Sequence, residues 1–322
     1  MNDHCVVLPA GTVWGASSRQ DRLSEVLDLF PLDIRFAGRF ALSAPWGIGV
    51  PEGMAMVCIV TEGSCLATAD NVEERTLGCP GDVLLLSPGA EHRLCDAPKT
   101  PVAPPVQWLQ SVQADNPLLL VRGGGAASTV LLGGVFQFED PQMHPFYWGL
   151  PPVIHLTSEA VGRFLHLRRL RRSIDDELSV HLPGGQSIVR RLIEILFIEA
   201  ARLCLDTDEN LGGQLLHSDL GPALALMHRQ PERPWTVAEL AERVAMSRSA
   251  FAATFAKVLG RPPVQYLRER RMQLARQLLR NPSLGLKEIA MRVGYDSVSA
   301  FNSAFKQRWG VAPGQFRNVP PG

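Results

Sequence analysis

The sequence lacks a long hydrophobic run: no stretch approaches the roughly 18 apolar residues that a membrane-spanning helix needs. Its first segment has no basic region followed by an apolar one, so we expect no secretion signal. The six cysteines follow no zinc-ligand spacing and are too sparse for a disulfide scaffold. These absences predict a protein of a reducing cytoplasm without a membrane partner.

The chain also lacks net charge, with 32 basic and 32 acidic residues among its 322. The charge is nevertheless unevenly distributed. From Gly221 onward, 16 Lys and Arg face 6 Asp and Glu, a balance of +10, whereas the first 220 residues carry 16 against 26. A basic block of this kind is typical of a segment that meets a polyanion, although a solvated helical surface would carry the same charge.

A repeat occupies the C-terminal third. The segment LAERVAMSRSAFAATFAKVLGRPPVQYL begins at Leu240 and aligns with IAMRVGYDSVSAFNSAFKQRWGVAPGQF, which begins at Ile289, about fifty residues later. Each copy predicts two helices joined by a turn, because capping residues precede apolar stripes at helical spacing. The predicted helix-turn-helix units span about residues 236–259 and 286–309, and one long helix over 264–280 joins them.

Two such units favour a DNA-binding domain over an ordinary helical bundle as the interpretation of this segment. The second helix of a helix-turn-helix unit enters the major groove, and two units on one rigid helix would read two places about one DNA turn, ~34 Å, apart. The tandem copies, the linking helix and the local balance of +10 all favour this interpretation.

The second copy also carries a family signature. Its residues are Ile289, Ala290, Gly294, Tyr295, Phe301, Phe305, Lys306, Gly310, Pro313, Phe316 and Arg317. On this signature, residues 220–317 resemble the DNA-binding domain of the AraC/XylS family of bacterial transcription regulators. The resemblance implies a cytoplasmic, nucleoid-associated protein whose partners are double-stranded promoter DNA and RNA polymerase.

Burial of the paired phenylalanines leaves an outer face on each recognition helix. The predicted base-reading residues are Arg248, Ser249, Ala252, Ser299, Asn302 and Ser303. The predicted phosphate contacts are Lys257, Arg268, Arg271, Lys287, Lys306 and Arg308. Asn302 has the amide for a bidentate contact to adenine, whereas Ala252 offers only a methyl contact. A merely solvated role remains the alternative for each arginine.

Residues 36–139 change character. Short apolar runs alternate with turn residues, which predicts antiparallel strands in a sandwich or barrel. The run over 81–92 resembles the second motif of cupin barrels, and residues 23–205 as a whole resemble the cupin-type domain of one AraC-like subgroup. The expected fold is therefore multi-domain, with an all-β cupin-like barrel and flanking helices followed by an all-α tandem helix-turn-helix domain.

A barrel of this size can hold one small ligand. The predicted effector pocket consists of Trp46, Met56, Cys58, His92 and Phe136. We expect no cofactor, because residues 54–56 read Met-Ala-Met where the first cupin motif should supply a His-x-His pair, and one imidazole does not hold a catalytic metal. An improvised site of His92, Cys95 and a strand cysteine stays open, as does a cupin-type metalloenzyme with an accessory DNA-binding domain.

Cysteine-based sensing of oxidants competes with a small-molecule signal. Cys58 and Cys65 lie on or beside one predicted hairpin, and Cys95 follows another turn. A sensor thiol needs exposure and a lowered pKa, and the sequence shows neither. The subgroup resemblance adds that relatives often carry a cysteine before the Gly-Gly pair, where this chain has Leu132. Buried, inert cysteines are the alternative that we favour.

Two amphipathic helices are predicted over 158–179 and 184–207. The family resemblance places subunit pairing in this region, and a cover for the barrel is the alternative. The predicted organisation is a mobile tail over 1–20, a cupin-like sensor domain over 21–157, a helical dimerisation region and linker over 158–213, and a DNA-binding domain over 214–322.

The combined prediction is a homodimeric, sequence-specific DNA-binding transcription regulator without enzymatic activity. A small-molecule or redox signal at the N-terminal domain would control it, and binding to the promoter would help or hinder RNA polymerase. The target promoter is left open, and the sequence alone does not decide between activation and repression. A constitutive DNA-binding protein whose barrel only pairs subunits is a further alternative.

Overall fold

The structure, a computed structural model, describes residues 23–24, 27, 32–70, 75–124, 128–138, 150–180, 182–205 and 220–317. The chain divides into two compact units. The described residues 32–205 lie in the first, called the barrel unit, and residues 220–317 lie in the second, called the helical unit. The predicted tail over 1–20 falls outside the described residues, as do residues 206–213, the end of the predicted dimerisation region and linker. Within the described ranges, no helix is long and apolar enough to cross a bilayer.

Ten strands are described in the barrel unit. They are β1 (Asp33–Leu42), β2 (Gly47–Val50), β3 (Met54–Glu62), β4 (Cys65–Ala69), β5 (Thr76–Gly78), β6 (Val83–Leu86), β7 (His92–Cys95), β8 (Leu119–Arg122), β9 (Thr129–Gln137) and β10 (Val153–Leu156). Six form one sheet in the order β10-β6-β3-β9-β1-β8, and four form another in the order β2-β7-β4-β5. Strands β1 and β8 pair in parallel, whereas β3 pairs antiparallel with both of its neighbours.

The barrel core lies between the two sheets. Because side chains alternate along a strand, the register decides which of them point inward. Met56 of β3 pairs with Leu86 of β6 and Val135 of β9, so these three side chains share one face. They join Leu94 of the four-stranded sheet in one apolar cluster. The predicted all-β cupin-like barrel is confirmed.

Four described helices complete the barrel unit. They are α1 (Pro105–Leu109), α2 (Ser158–Arg163), α3 (Leu165–Val180) and α4 (Gly185–Leu205). Helix α4 covers the outer face of the six-stranded sheet, where Phe197 packs on Phe136 with ring centroids 4.7 Å apart. A Cβ on Gly134 would lie 2.6 Å from a methyl carbon of Ile193, so glycine permits the close approach of helix and sheet.

Seven described helices form the helical unit. They are α5 (Gly221–Arg229), α6 (Val237–Arg243), α7 (Arg248–Leu259), α8 (Pro263–Leu279), α9 (Leu286–Arg292), α10 (Val298–Trp309) and α11 (Pro313–Arg317). Helices α6 and α7 form the first helix-turn-helix unit, and α9 and α10 form the second. Helix α6 starts with a capping box, in which the side chains of Thr236 and Glu239 each accept a hydrogen bond from the other's backbone N–H.

Each helix-turn-helix unit has its own aromatic core. In the first, the ring of Phe255 lies 5.5 Å from Phe251 and 5.4 Å from Tyr266 of α8. In the second, Phe305 lies 5.8 Å from Phe301. The second core also takes residues from α8, namely Met272, Ala275 and Leu279. Helix α8 therefore contributes side chains to both cores.

Candidate nucleic-acid interface

The first recognition helix, α7, begins at a serine cap. The Oγ of Ser247 accepts a hydrogen bond from the backbone N–H of Ala250 at 3.2 Å, and Gly260 ends the helix in a left-handed conformation. With the two phenylalanines buried, Arg248, Ser249 and the later Lys257 are exposed, and Ala252 is half-buried. The hydroxyls of Ser247 and Ser249 lie 3.3 Å apart, so Ser249 is tied to the cap.

The second recognition helix, α10, repeats this arrangement. Its cap is Ser297, whose Oγ accepts from the N–H of Ala300 at 3.1 Å. Exposed polar side chains on its outer face are Ser299, Ser303 and Lys306. Asn302 is half-buried, and its Oδ1 is buried without a hydrogen-bond partner among the described residues. A bidentate contact to adenine would therefore require the amide to turn outward.

Several predicted phosphate contacts are accessible. Lys257, Lys287 and Lys306 are exposed. Arg268 is also exposed, and it donates a hydrogen bond to the side-chain oxygen of Gln307 on α10. Arg308 is half-buried, with its guanidinium carbon 4.6 Å from the centre of the Trp309 ring. The lysines and Arg268 can reach a DNA backbone, whereas Arg308 is held beside the protein surface.

The prediction that Arg271 contacts phosphate does not fit the structure. Its guanidinium is half-buried and donates to backbone carbonyls, with Nε 2.7 Å from the oxygen of Pro231 and Nη1 3.1 Å from that of Gly294. Nη2 reaches the carbonyls of Arg233 and Glu232 at 3.0 and 3.4 Å. These four bonds engage all three guanidinium nitrogens with backbone carbonyls, and burial lowers the pKa of Arg271.

The sequence contained a signal for this role that charge counting missed. Leu267, Arg271, Leu274 and Leu278 follow the helical spacing of an apolar stripe, and the leucines among them are buried or half-buried. A charged residue at such a position faces the protein and needs internal partners. Backbone carbonyls from distant segments supply those partners, and sequence spacing does not show where such segments converge.

In the barrel unit, the predicted pocket residues separate into two groups. Trp46, Met56 and Cys58 lie together in the inner core cluster. His92 is buried and lies on the same face of β7 as the inward-pointing Leu94. Phe136 points the other way and packs against α4, so its assignment to an interior pocket is wrong. Its strand neighbour Val135 takes the inward position instead.

The barrel unit buries polar atoms that lack partners. Nε2 of His92 donates to the carbonyl oxygen of Ser87 at 2.7 Å, and burial lowers the pKa of this imidazole. The neutral ring therefore carries its proton on Nε2 and leaves Nδ1 as an acceptor. Nδ1 of His92, Oγ of Ser87 and Nε1 of Trp46 are all buried without a hydrogen-bond partner within the described residues. Such atoms are costly to bury unless something meets them.

The three cysteines proposed as sensors are buried, and each has a raised pKa. Burial raises the pKa of Cys65 to about 12, with the charge of Asp82 adding to the effect. Burial also raises the pKa of Cys95 and, well above its usual value, that of Cys58. A thiol with a raised pKa is a poor nucleophile toward oxidants. Over the described ranges, no group of three His, Cys, Asp or Glu side chains could hold a metal ion.

The cupin-like motif has a clear structural task. The carboxylate of Asp82 accepts hydrogen bonds from the N–H of Cys79 at 2.9 Å and of Ser158 at 2.7 Å. Nε2 of His155 on β10 lies 2.8 Å from the same carboxylate. Asp82 therefore fastens the turn before β6 to β10 and to the start of α2.

Comparison with known proteins agrees with both halves of this structure. A family model described as Cupin matches residues 21–206, and one described as Helix-turn-helix domain matches residues 240–318. A putative AraC-like transcription regulator of Streptomyces antibioticus is 31% identical over 312 residues, which cover 93% of this chain and 99% of that protein. This chain belongs to the AraC-like transcription regulators with an N-terminal cupin domain.

Further relatives also match over nearly their whole lengths. A putative AraC-like transcription regulator of Streptomyces lividans is 29% identical over 308 residues, covering 93% of this chain and 99% of the relative. The RCS-specific HTH-type transcriptional activator RclR of Escherichia coli K12 is 27% identical over 308 residues, covering 92% and 97%. The chain is thus a DNA-binding regulator, and the residues that read its site are a separate question.

Proposed function

We propose that this regulator reads a two-part promoter site with its two recognition helices, α7 and α10. The observation that carries the proposal is the repetition of one arrangement. In both helices a serine cap and a buried phenylalanine pair fix the helix, and small polar side chains are left exposed on the outer face. Exposed lysines beside these faces, Lys257 and Lys306, would contact phosphates and set the register of the protein on the duplex.

Selection of DNA by the purified full-length chain tests this proposal. A pool of random-sequence duplexes is passed over the protein, and the retained DNA is sequenced. We expect two short conserved blocks whose centres lie about one helical turn apart. A single block, or retained DNA without any motif, would contradict reading by both helices.

We further propose that a small molecule bound in the barrel unit controls DNA binding. Trp46, Ser87 and His92 are at most 2% exposed, and each buries one polar atom without a partner in the described part of the chain. The indole N–H would donate to an acceptor on the ligand, and Nδ1 of His92 would accept from a donor. Since Trp46 belongs to the apolar core cluster and His92 shares a strand face with Leu94 of that cluster, the fitting class is a small, mostly apolar molecule with one donor and one acceptor.

Thermal shift of the full-length protein against small apolar alcohols, acids and phenols tests this class. A ligand of the folded barrel raises the melting temperature, because it binds the folded state alone. Trp46→Phe and His92→Phe should reduce the shift, since each removes a polar atom that would meet the ligand. His92→Phe also removes Nε2 and its hydrogen bond to the carbonyl of Ser87. Phe136→Leu, on the outer face of the sheet, is the control that should keep it. Shifts that are equal in all three variants would place the ligand elsewhere.

Control by an oxidant has less support than control by a small molecule, because burial raises the pKa of Cys58, Cys65 and Cys95. Cys79, in contrast, is exposed. In a Cys5→Ser background, we expect a thiol reagent to label Cys79 quickly and the buried Cys58, Cys65, Cys95 and Cys204 slowly. Fast labelling of Cys58, Cys65 or Cys95 in the folded protein would restore the oxidant hypothesis.

We also propose that the regulator acts as a cytoplasmic homodimer that contacts RNA polymerase at its promoter. Helix α4 supports the pairing of subunits: Ile188 and Ile195 are 45% and 44% exposed, and half-buried Leu192 lies between them on the same stripe. Light scattering of the Ile188→Glu and Ile195→Glu variants should show monomers. Gln186→Glu, an exposed polar position on the same helix, should leave the mass unchanged.

A further inference from the structure

We propose that Arg271 is a positioning residue that fixes the distance and rotation between the two recognition helices. On this proposal, the regulator accepts only one spacing between the two halves of its DNA site. The proposal rests on reading by both recognition helices, as proposed above, and adds the device that sets their spacing.

The guanidinium of Arg271 joins three segments that are far apart in sequence. Arg271 itself lies near the middle of the linking helix α8. Its Nε and Nη2 donate to the carbonyls of Pro231 at 2.7 Å and of Arg233 at 3.0 Å, in the segment that leads into α6. Its Nη1 donates to the carbonyl of Gly294 at 3.1 Å, in the turn between α9 and α10. One side chain thus bonds the start of the first helix-turn-helix unit and the turn of the second.

The turn of the second unit is shaped for this contact. Gly294 has a φ of +76°. A Cβ at this position would lie 2.5 Å from the carbonyl oxygen of Glu232 and 2.8 Å from the guanidinium carbon of Arg271. The backbone of Glu232, Gly294 and the guanidinium of Arg271 are therefore closely packed. The turn before α10 cannot shift while Arg271 stays in place.

Arginine suits this task better than lysine does. The guanidinium presents five donors in a rigid plane, so it can bond several carbonyls in different directions at once. A lysine ammonium at the end of a flexible chain would satisfy fewer of them and would leave the part-buried carbonyls of Pro231 or Gly294 without this donor. Arg271→Lys therefore keeps the charge of the helix and removes the three-way junction.

Spacing matters because of the geometry of DNA. One inserted base pair moves the second half-site by about 3.4 Å and rotates it by about 34°. Two rigidly joined heads then cannot both bind, whereas loosely joined heads adjust and keep the advantage of double attachment. Tolerance of spacing thus reports the stiffness of the joint, and affinity for one half-site reports whether each head is intact.

The experiment uses the full-length protein and duplexes selected by the wild type from a random pool. Binding is measured to the selected site, to the same site with one base pair inserted or deleted between its halves, and to each half alone. We expect the wild type to prefer the selected spacing by about tenfold or more. Arg271→Lys should reduce that preference to about twofold and leave binding to each half-site unchanged. Arg280→Lys, at the end of the same helix, should behave as the wild type does.

The possible failures are distinguishable. A wild type that binds the whole site no more tightly than its better half alone would overturn the two-headed reading itself. A wild type that gains from both halves at every spacing would overturn the rigid joint. A folded Arg271→Lys variant that keeps the full wild-type preference would overturn the positioning role alone. Where Arg271→Lys does not fold, Gly294→Ala decides, because its added methyl group displaces the guanidinium from the other side. Selection repeated with that variant should return the same half-site sequences at several spacings, and a single retained spacing would contradict the proposal.

Discussion

The turns of the two helix-turn-helix units begin with the same left-handed backbone conformation and place different residues on it. Ala245 and Gly294 occupy matching positions, with φ of 52° and 76°. Ala245 is exposed, so its Cβ extends into solvent. At Gly294 the same atom would collide with Glu232 and Arg271. A left-handed turn thus accepts alanine where it faces water and requires glycine where another part of the chain crosses it.

The reading faces differ as well. Asn302 on α10 matches Ala252 on α7, because each directly follows the first phenylalanine of its helix. The caps at the start of the first helices also differ, since Thr236 forms a capping box whereas Gly285 has no side chain. The two units therefore share their serine caps and phenylalanine pairs, and they differ at the positions between these residues.

The largest expected effect comes from breaking one core at a time. Phe255→Ala and Phe305→Ala each remove a fully buried ring and should cost about 3–5 kcal/mol. Hydrogen exchange read by mass spectrometry should show lost protection in α7 for the first variant and in α10 for the second. Equal loss in both helices for either variant would show that the two cores unfold as one.

Exchanging the turn residues should give effects of opposite sign. Gly294→Ala meets a crowded turn and should destabilise the helical unit by about 2–4 kcal/mol, from overpacking and from the left-handed φ. Ala245→Gly relieves a similar φ without a clash and should stabilise it by about 0.5 kcal/mol, because the entropy of glycine offsets part of the gain. Chemical denaturation of the two variants checks this, and destabilisation of equal size by both would contradict it.

Exchanging the reading residues should change specificity and leave the fold intact. Asn302→Ala makes the second helix resemble the first, and we expect it to relax preference at one base position at a cost of about 1–3 kcal/mol. Ala252→Asn is the reverse change in the first helix and should add preference at one position. Binding to a set of single-base variants of the selected site measures both. Uniform weakening of Asn302→Ala on all sequences would show that this amide does not read a base.

The smallest effects belong to the helix caps. Thr236→Ala removes one half of the capping box and should cost about 1 kcal/mol. Gly285→Ser supplies the missing side chain in the second unit and should add a few tenths of a kcal/mol. Melting temperatures measured side by side are sensitive enough for the comparison. A larger effect at Gly285 than at Thr236 would mean that the capping box contributes little here.

Local rules predicted the scaffold of the helical unit well. The phenylalanine pairs and the serine caps follow short-range spacing, which the sequence displays directly. Arg271 was assigned to phosphate because its charge is visible in the sequence, whereas the carbonyls that surround it come from segments roughly 20 and 40 residues away. Short-range rules contain no information about that convergence.

The barrel unit shows the same limit in a different form. The presence of antiparallel strands could be predicted, because short apolar runs that alternate with turn residues indicate them. The prediction puts Phe136 in the barrel interior, whereas its side chain lies on the outer face of the sheet. An error of one residue in the predicted strand register reverses the face on which every side chain of the strand lies. A register irregularity between Ile34 and Phe36 in the pairing of β1 with β9 shows how such a shift arises. The His92 side chain was identified from its motif, but its unpartnered nitrogen required the surrounding structure.

The linking helix α8 has 17 residues and contributes to both aromatic cores. Inserting one residue into it would turn one core relative to the other by about 100° and move it by about 1.5 Å. Point substitutions on α7 and α10 leave that relation intact. Over evolutionary time, such a chain can acquire new target sequences by substitution, whereas a change in α8 length would separate its two halves from any existing operator. On the proposed two-headed reading, the operator sequence can therefore change through point substitutions, whereas the operator spacing is inherited with the length of one helix.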